Sequence, residues 1–103
     1  MAVRVNGESF DTEVLSGGTV LADFYSDSCV PCKRMSPVLA EIEEEYGGKV
    51  KLVKININFD ADLADKYGVQ SVPTLVYYKD GAEVARQSGA LKKSDIVAEI
   101  EKL

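Results

Sequence analysis

Apolar residues along this chain recur with two different periods, and the switches between those periods divide it into elements. Val3 and Val5 alternate with Ala2 and Arg4 in a short strand over Ala2–Val5, and Asn6-Gly7 reads as the turn after it. Ser9 is placed to cap a short helix that carries Phe10 and Val14 on one face and stops at Gly17-Gly18. The run Thr19–Tyr25 is apolar apart from Thr19 and Asp23 and reads as a strand covered on both faces. Met35, Val38, Leu39, Ile42 and Tyr46 then fall at helical spacing, which predicts a helix over Pro31–Tyr46 closed by Gly47-Gly48. Val50–Ile57 is a second interior strand, and a short helix over Ala61–Tyr67 ends at Gly68. Thr74–Tyr78 is a strand joined by a tight Lys79-Asp80-Gly81-Ala82 connection to a strand over Glu83–Arg86. Ser94 opens a last helix with Ile96, Val97, Ile100 and Leu103 turned inward.

The order is β-α-β-α-β-α-β-β-α, which places the chain in the α/β class. Strands alternating with helices imply parallel pairing with both sheet faces covered, and the late hairpin adds an antiparallel pair. Pro37 falls inside the long helix, where it removes one backbone hydrogen bond and should kink the axis. No repeat, low-complexity tract or linker interrupts the pattern, so residues 1–103 are expected to form one domain. With 46% hydrophobic and 28% charged residues the composition is that of an ordinary globular chain. The net charge of −5 argues against nucleic acid and anionic membranes as partners. With no basic-then-apolar leader and no run long enough to span a membrane, Met1 is expected to start the mature chain and the cytoplasm to be its compartment.

One feature changes this picture. The two cysteines, Cys29 and Cys32, sit three apart where the strand over 19–25 gives way to the long helix. A cysteine in the first turn of a helix faces unpaired backbone N–H groups and the positive end of the helix dipole, which favour its thiolate. The thiolate is the nucleophilic form. The second cysteine, one turn on, is near enough to close a disulfide with the first, so the pair supports reversible dithiol–disulfide chemistry. A zinc or iron–sulfur site needs about four ligands. With two Cys and no His the chain could supply only half of one, shared across a dimer. A purely structural disulfide over so short a loop is a weak staple, and two inert thiols fit the strand–helix placement poorly. Asp23 adds a carboxylate inside an apolar strand, where burial should raise its pKa and suit it to exchange a proton with Cys32. The competing reading is a carboxylate satisfied by Lys54 alone, from the neighbouring strand.

These residues stand in an ordered set that resembles the thioredoxin family over nearly the whole chain. The set comprises Val20–Tyr25, Cys29-Val30-Pro31-Cys32-Lys33, Pro37, Lys54–Ile57, Lys66–Val69, Ser71–Leu75, Asp80-Gly81 and Gly89-Ala90-Leu91. The resemblance implies the thioredoxin fold: a central mixed five-stranded sheet in the order 1-3-2-4-5 flanked by four helices. It implies a disulfide reductase acting on protein disulfides, recharged by a thioredoxin reductase and needing no cofactor beyond its own disulfide, with the protein expected to be a monomer. Cys29 corresponds to the exposed nucleophile, Cys32 to the buried resolving thiol, Asp23 to the buried acid and Lys54 to its partner. Pro73 corresponds to a cis-proline, and Val72, Gly89 and Ala90, with Val30 and Pro31 between the cysteines, to the substrate-docking rim. The chain departs from the family in four places. Ser28 stands where a Trp usually precedes the first cysteine, Val30 where Gly is usual, and Tyr25 where a Trp usually follows the buried acid; the first strand is also abbreviated. Other classes compatible with such a fold are a docking module without turnover, and an oxidant or isomerase; both cysteines are present, which counts against the first. The lack of a leader and of a His between the cysteines counts against the second.

Overall fold

The computed structural model describes residues 3–103. Of the strand expected over Ala2–Val5, Ala2 lies outside the described residues, as does the start at Met1, and Val3–Arg4 form β1. The order continues with a π-helical turn Asp11–Leu15, β2 Thr19–Tyr25, α1 Val30–Tyr46, β3 Lys51–Asn56, α2 Ala61–Lys66, β4 Thr74–Lys79, β5 Ala82–Ser88 and α3 Lys93–Glu101. The five strands form one sheet in the order β1-β3-β2-β4-β5, as the family resemblance implies. β1 and β2 both run parallel to β3, while β4 runs antiparallel to both β2 and β5.

Side chains alternate across a strand, and β2 uses that alternation to divide the core. Val20, Ala22 and Phe24 face a cluster with Phe10, just before the π-helical turn, Val14 within it, and Leu63 and Ala64 of α2. Leu21 faces the opposite cluster, with Met35, Leu39 and Ile42 of α1 and Ile96 and Ile100 of α3. The same alternation turns Asp23 and Tyr25 towards the α1 side. α1 runs on through Pro37, whose ring stands on the exposed surface.

Three local expectations need correction. Asn6, not Ser9, caps the first helical turn: its Oδ1 accepts the N–H groups of Glu8 at 2.9 Å and Ser9 at 3.0 Å. An Asn held this way satisfies two orphan donors at once, and Ser9 Oγ is left to accept the Asn6 N–H at 3.1 Å. The last helix starts at Lys93 rather than Ser94, because the Asp95 carboxylate accepts the Lys92 N–H at 3.1 Å and fixes the first turn one residue earlier. β5 spans Ala82–Ser88, longer than the Glu83–Arg86 read from pattern, because pairing with β4 continues from Lys79↔Ala82 to Thr74↔Ser88.

The β4–β5 connection is a two-residue turn in which Asp80 (φ 51°) and Gly81 (φ 85°) are both left-handed, the geometry that Asp-Gly favours. Its tip is tied to the start of β2, since Asp80 N–H donates to Gly18 O at 2.9 Å and Asp80 Oδ1 accepts from Gly18 N–H at 3.1 Å. A methyl group at Gly81 would stand 2.7 Å from Leu15 O, whereas one at Gly18, also left-handed (φ 76°), would meet nothing within 4 Å. Gly18→Ala should therefore lose only the left-handed backbone term of about 1 kcal/mol. Gly81→Ala should lose that and the backbone clash, for more than about 2 kcal/mol in all. Urea unfolding of the two variants beside the wild type measures the difference, and equal losses would contradict it.

Candidate active site

The register carries the candidate residues to one end of the sheet. Phe24, near the end of β2, pairs with Thr74 at the start of β4, and Thr74 pairs with Ser88 at the end of β5. The Cys29–Cys32 loop leaves β2 at that end, Pro73 enters β4 there, and Gly89-Ala90 leave β5 there. Val72-Pro73 is a cis peptide bond, in agreement with the resemblance. Pro73 O accepts the Gly89 N–H at 2.9 Å, which ties the segment entering β4 to the end of β5, and the Thr74 hydroxyl donates to Ser71 O at 2.7 Å. Val30 is 55% exposed. Pro31, Gly89 and Ala90 are exposed, Val72 is half-buried and Pro73 is buried.

Cys29 and Cys32 form a disulfide with their Cα atoms 5.2 Å apart. Cys29 is the N-cap of α1, its backbone extended (φ −86°, ψ 107°), and the helix starts at Val30, one residue before the start expected at Pro31. A proline in the first turn leaves no hydrogen bond unmade, because the first N–H groups of a helix have no intrahelical acceptor. Cys29 Sγ accepts the Cys32 N–H at 3.1 Å. That donor belongs to the unpaired set at the helix start, so any negative charge on this sulfur is met by a fixed N–H and by the helix dipole. The expected contrast between an exposed Cys29 and a buried Cys32 is absent in this disulfide form, where each residue is 9% exposed. The difference between the two lies in their partners. Cys29 holds the helix-end N–H, and Cys32 lines a cleft over Asp23.

That cleft, about 140 Å³, is lined by Asp23, Tyr25, Ser26, Asp27, Cys32, Lys33, Ser36 and Lys54. Asp23 is 4% exposed. Burial pushes its carboxyl up from an ordinary 3.8 to about 6, with the Lys54 ammonium pulling part of the way back. Lys54 is the register neighbour of Asp23 across β2 and β3, yet among the described residues the two make no salt bridge. The ammonium stands instead over the Tyr25 ring, 4.8 Å from its centroid. The carboxyl is thus not satisfied by Lys54 alone, and desolvation dominates it.

Three residues escaped the sequence reading. Asp27 N–H donates to Asn58 Oδ1 at 2.8 Å, Asn56 Nδ2 donates to Asp27 Oδ1 at 3.1 Å, and Asn58 N–H donates to Asn56 Oδ1 at 2.9 Å. The network ties the segment before Cys29 to the loop after β3. The signal available was the pair of asparagines flanking Ile57 at a strand end, a common source of side-chain to backbone bonds.

The thioredoxin family model matches residues 1–102. The chain is 43% identical to thioredoxin C-2 of Corynebacterium nephridii, over 96% of this chain and 93% of that one. It is 44% identical to the thioredoxin of Pseudomonas aeruginosa, over 93% of this chain and 90% of that one. It is also 44% identical to the thioredoxin of Bacillus subtilis, over 95% and 92% respectively. The chain belongs to the thioredoxin family. With its cysteine pair joined at the helix start, it is a thiol–disulfide oxidoreductase of the protein-disulfide reductase kind, working through a redox-active disulfide. No helix among the described residues is long and apolar enough to cross a membrane.

Folded Asp23 holds its proton to about pH 6, while the unfolded residue releases it near 3.8. The folded state therefore binds more protons between those values, and stability falls as pH rises through that window. The loss by neutral pH should be about 3 kcal/mol in the oxidised protein. Asp23→Asn should flatten this slope and unfold at higher urea than wild type at about pH 7, but not at about pH 4. Matching pH dependence in the two proteins would mean that the carboxyl is not desolvated.

Proposed function

We propose that Cys29 is the attacking thiol, Cys32 the resolving thiol and Asp23 the group that exchanges a proton with Cys32. The Cys29 thiolate attacks one sulfur of a substrate disulfide, a Cys29–substrate bond forms, and the other substrate sulfur leaves as a thiolate. Asp23, ionised at that point, takes the Cys32 proton. The Cys32 thiolate then attacks Cys29, the second substrate sulfur leaves, and the 29–32 disulfide is formed, two electrons having passed to the substrate. The helix-end position of Cys29 supports its role as the stabilised thiolate. The observation that carries the rest is the buried carboxyl of Asp23 lining one cleft with Cys32. A carboxyl with a pKa near 6 is mostly ionised at neutral pH yet holds a proton far better than an ordinary aspartate, so it can both accept and return one. Lys54 lowers the cost of the ionised form before the proton arrives.

Val30, Pro31, Val72, Pro73, Gly89 and Ala90 form the docking rim for an extended substrate segment, an assignment supported by their grouping at one end of the sheet. The partners are disulfide-bearing proteins on one side and a thioredoxin reductase on the other. The protein works as a one-domain monomer in the cytoplasm, with no cofactor besides its disulfide. Its acidity disfavours nucleic acid and anionic membranes.

Reduction of an insulin-type disulfide with dithiothreitol as donor tests the assignment. Cys29→Ser should abolish turnover, and Cys32→Ser should accumulate mixed disulfides, as read by mass spectrometry. Asp23→Asn should leave the first attack in place and slow resolution of the mixed disulfide about a hundredfold in single-turnover experiments. Trapping through Cys32 in a Cys29→Ser variant would reverse the sulfur roles. An unchanged resolution rate in Asp23→Asn would leave Asp23 a structural residue.

A further inference from the structure

Building on Asp23 as the proton acceptor for Cys32, we propose that Tyr25 is a positioning residue whose ring holds the Lys54 ammonium away from the Asp23 carboxyl, leaving that carboxyl free to take the Cys32 proton. Asp23 and Tyr25 are two apart on β2 and so share the face turned to α1. β3 runs alongside with Lys54 opposite Asp23 and Asn56 opposite Tyr25. From that position the flexible Lys54 stem can carry its ammonium to either neighbour, the carboxylate directly beside it or the ring one step along. The ammonium stands on the ring, 4.8 Å from the centroid. The face of an aromatic ring attracts a cation through its quadrupole, so the ring is an alternative binding place rather than a mere spacer.

Among the surrounding charges, Asp60 lines one cleft with Arg4, Tyr25 and Lys54 and draws the ammonium the same way as the ring, while the others do not favour the ring. Arg4 of β1 is the register neighbour of Lys54 on its other side and repels it towards the Asp23–Tyr25 side. Glu43 of α1 lines the next cleft with Arg4 and Lys54 and would draw the ammonium away from both. Around Asp23 itself stand Cys32 and Lys33 from α1 and Asp27 from the loop after β2, while Leu75, its β4 neighbour, is apolar. Lys54 is the cation that acts on the carboxyl, and the effect of an opposite charge grows steeply as it approaches. Transfer of the ammonium from the ring to the carboxylate would fix Asp23 in its ionised form and weaken it as a base.

The experiment is a titration of the Asp23 carboxyl carbon by 13C NMR in the full-length oxidised protein. It compares wild type, Tyr25→Phe, Tyr25→Leu, Lys54→Met and the double variant Tyr25→Leu/Lys54→Met. Tyr25→Leu should lower the Asp23 midpoint by about one pH unit, and Tyr25→Phe, which keeps the ring, should restore it. In the Lys54→Met background Tyr25→Leu should have no further effect. An unmoved midpoint in Tyr25→Leu overturns the proposal. So does a drop that persists without Lys54, since it would come from water entering where the ring was. Should Tyr25→Leu not fold, the ε-methylene protons of Lys54 decide: an upfield ring-current shift in wild type and Tyr25→Phe supports the placement, and its absence refutes it. Mixed-disulfide resolution in the same variants, followed against pH, separates this inference from the reading beneath it. A midpoint that moves while the resolution profile stays fixed removes Asp23 as proton acceptor, and with it the part of Tyr25 in the reaction, although the Lys54 placement survives. Midpoint and profile moving together support both.

Discussion

β2 is the strand on which everything else is registered. It is paired on both edges, by β3 and β4, and covered on both faces. A strand so placed must be apolar almost throughout, and Val20, Leu21, Ala22 and Phe24 are each at most 1% exposed. The one ionisable residue in its interior is Asp23, and the strict alternation of the strand turns it towards α1. The same strand, at its end, launches the loop that carries the cysteines into α1. Burial of the carboxyl and placement of the sulfurs are therefore consequences of one register, and neither could shift by a residue without sending Asp23 to the opposite face.

Two opposite electrostatic effects meet within this short stretch. At Cys29 the helix start offers an unpaired N–H and a positive dipole end, which favour a negative sulfur. At Asp23 removal from water disfavours a negative carboxyl. One effect favours the charged form of a sulfur, and the other the neutral form of a carboxyl. Environment rather than residue type sets the two groups apart. The carboxyl destabilises the fold at neutral pH, which is tolerable because the covering helices bury large apolar side chains such as Met35, Leu39 and Ile96 against the same sheet face.

Much of this was legible from residue order. Central strands, the long helix and the Asp80-Gly81 turn announce themselves because burial or left-handed backbone demands particular residues there. The cysteine pair, the burial of Asp23 and the cis Val72-Pro73 bond followed from ordered motifs. What escaped was decided by side-chain geometry. Ser9 and Asn6 are both capable caps, and only the path of the chain selects Asn6. β5 is an edge strand with most of its residues exposed, so no apolar alternation marks where it ends. Asn56 and Asn58 were concealed by the apolar rhythm of the strand they close. Lys54 was placed beside Asp23 correctly, but no pattern says where a long flexible stem puts its ammonium.

The substitution of Ser28 for the family's bulky aromatic bears on how the cysteine loop keeps its shape. Asp27 and Ser28 are exposed, so the segment between β2 and α1 gains little from apolar packing there. A loop of this kind loses its conformational freedom only if something else fixes it, at about 1–2 kcal/mol for each residue ordered. Hydrogen bonds supply that fixing: Cys29 N–H donates to Ser26 O at 3.3 Å, and Asp27 is held through its backbone by Asn58 and through its carboxylate by Asn56. Each contributes about 0.5–1.5 kcal/mol, comparable with the ordering cost it opposes. Asn56 ends β3, the strand that also carries Lys54, and Asn58 lies two residues beyond it, so the loop bearing Cys29 is anchored at the end of that strand. A change at Asn58 in the β3–α2 loop would in this way reach the segment before Cys29 without touching either cysteine.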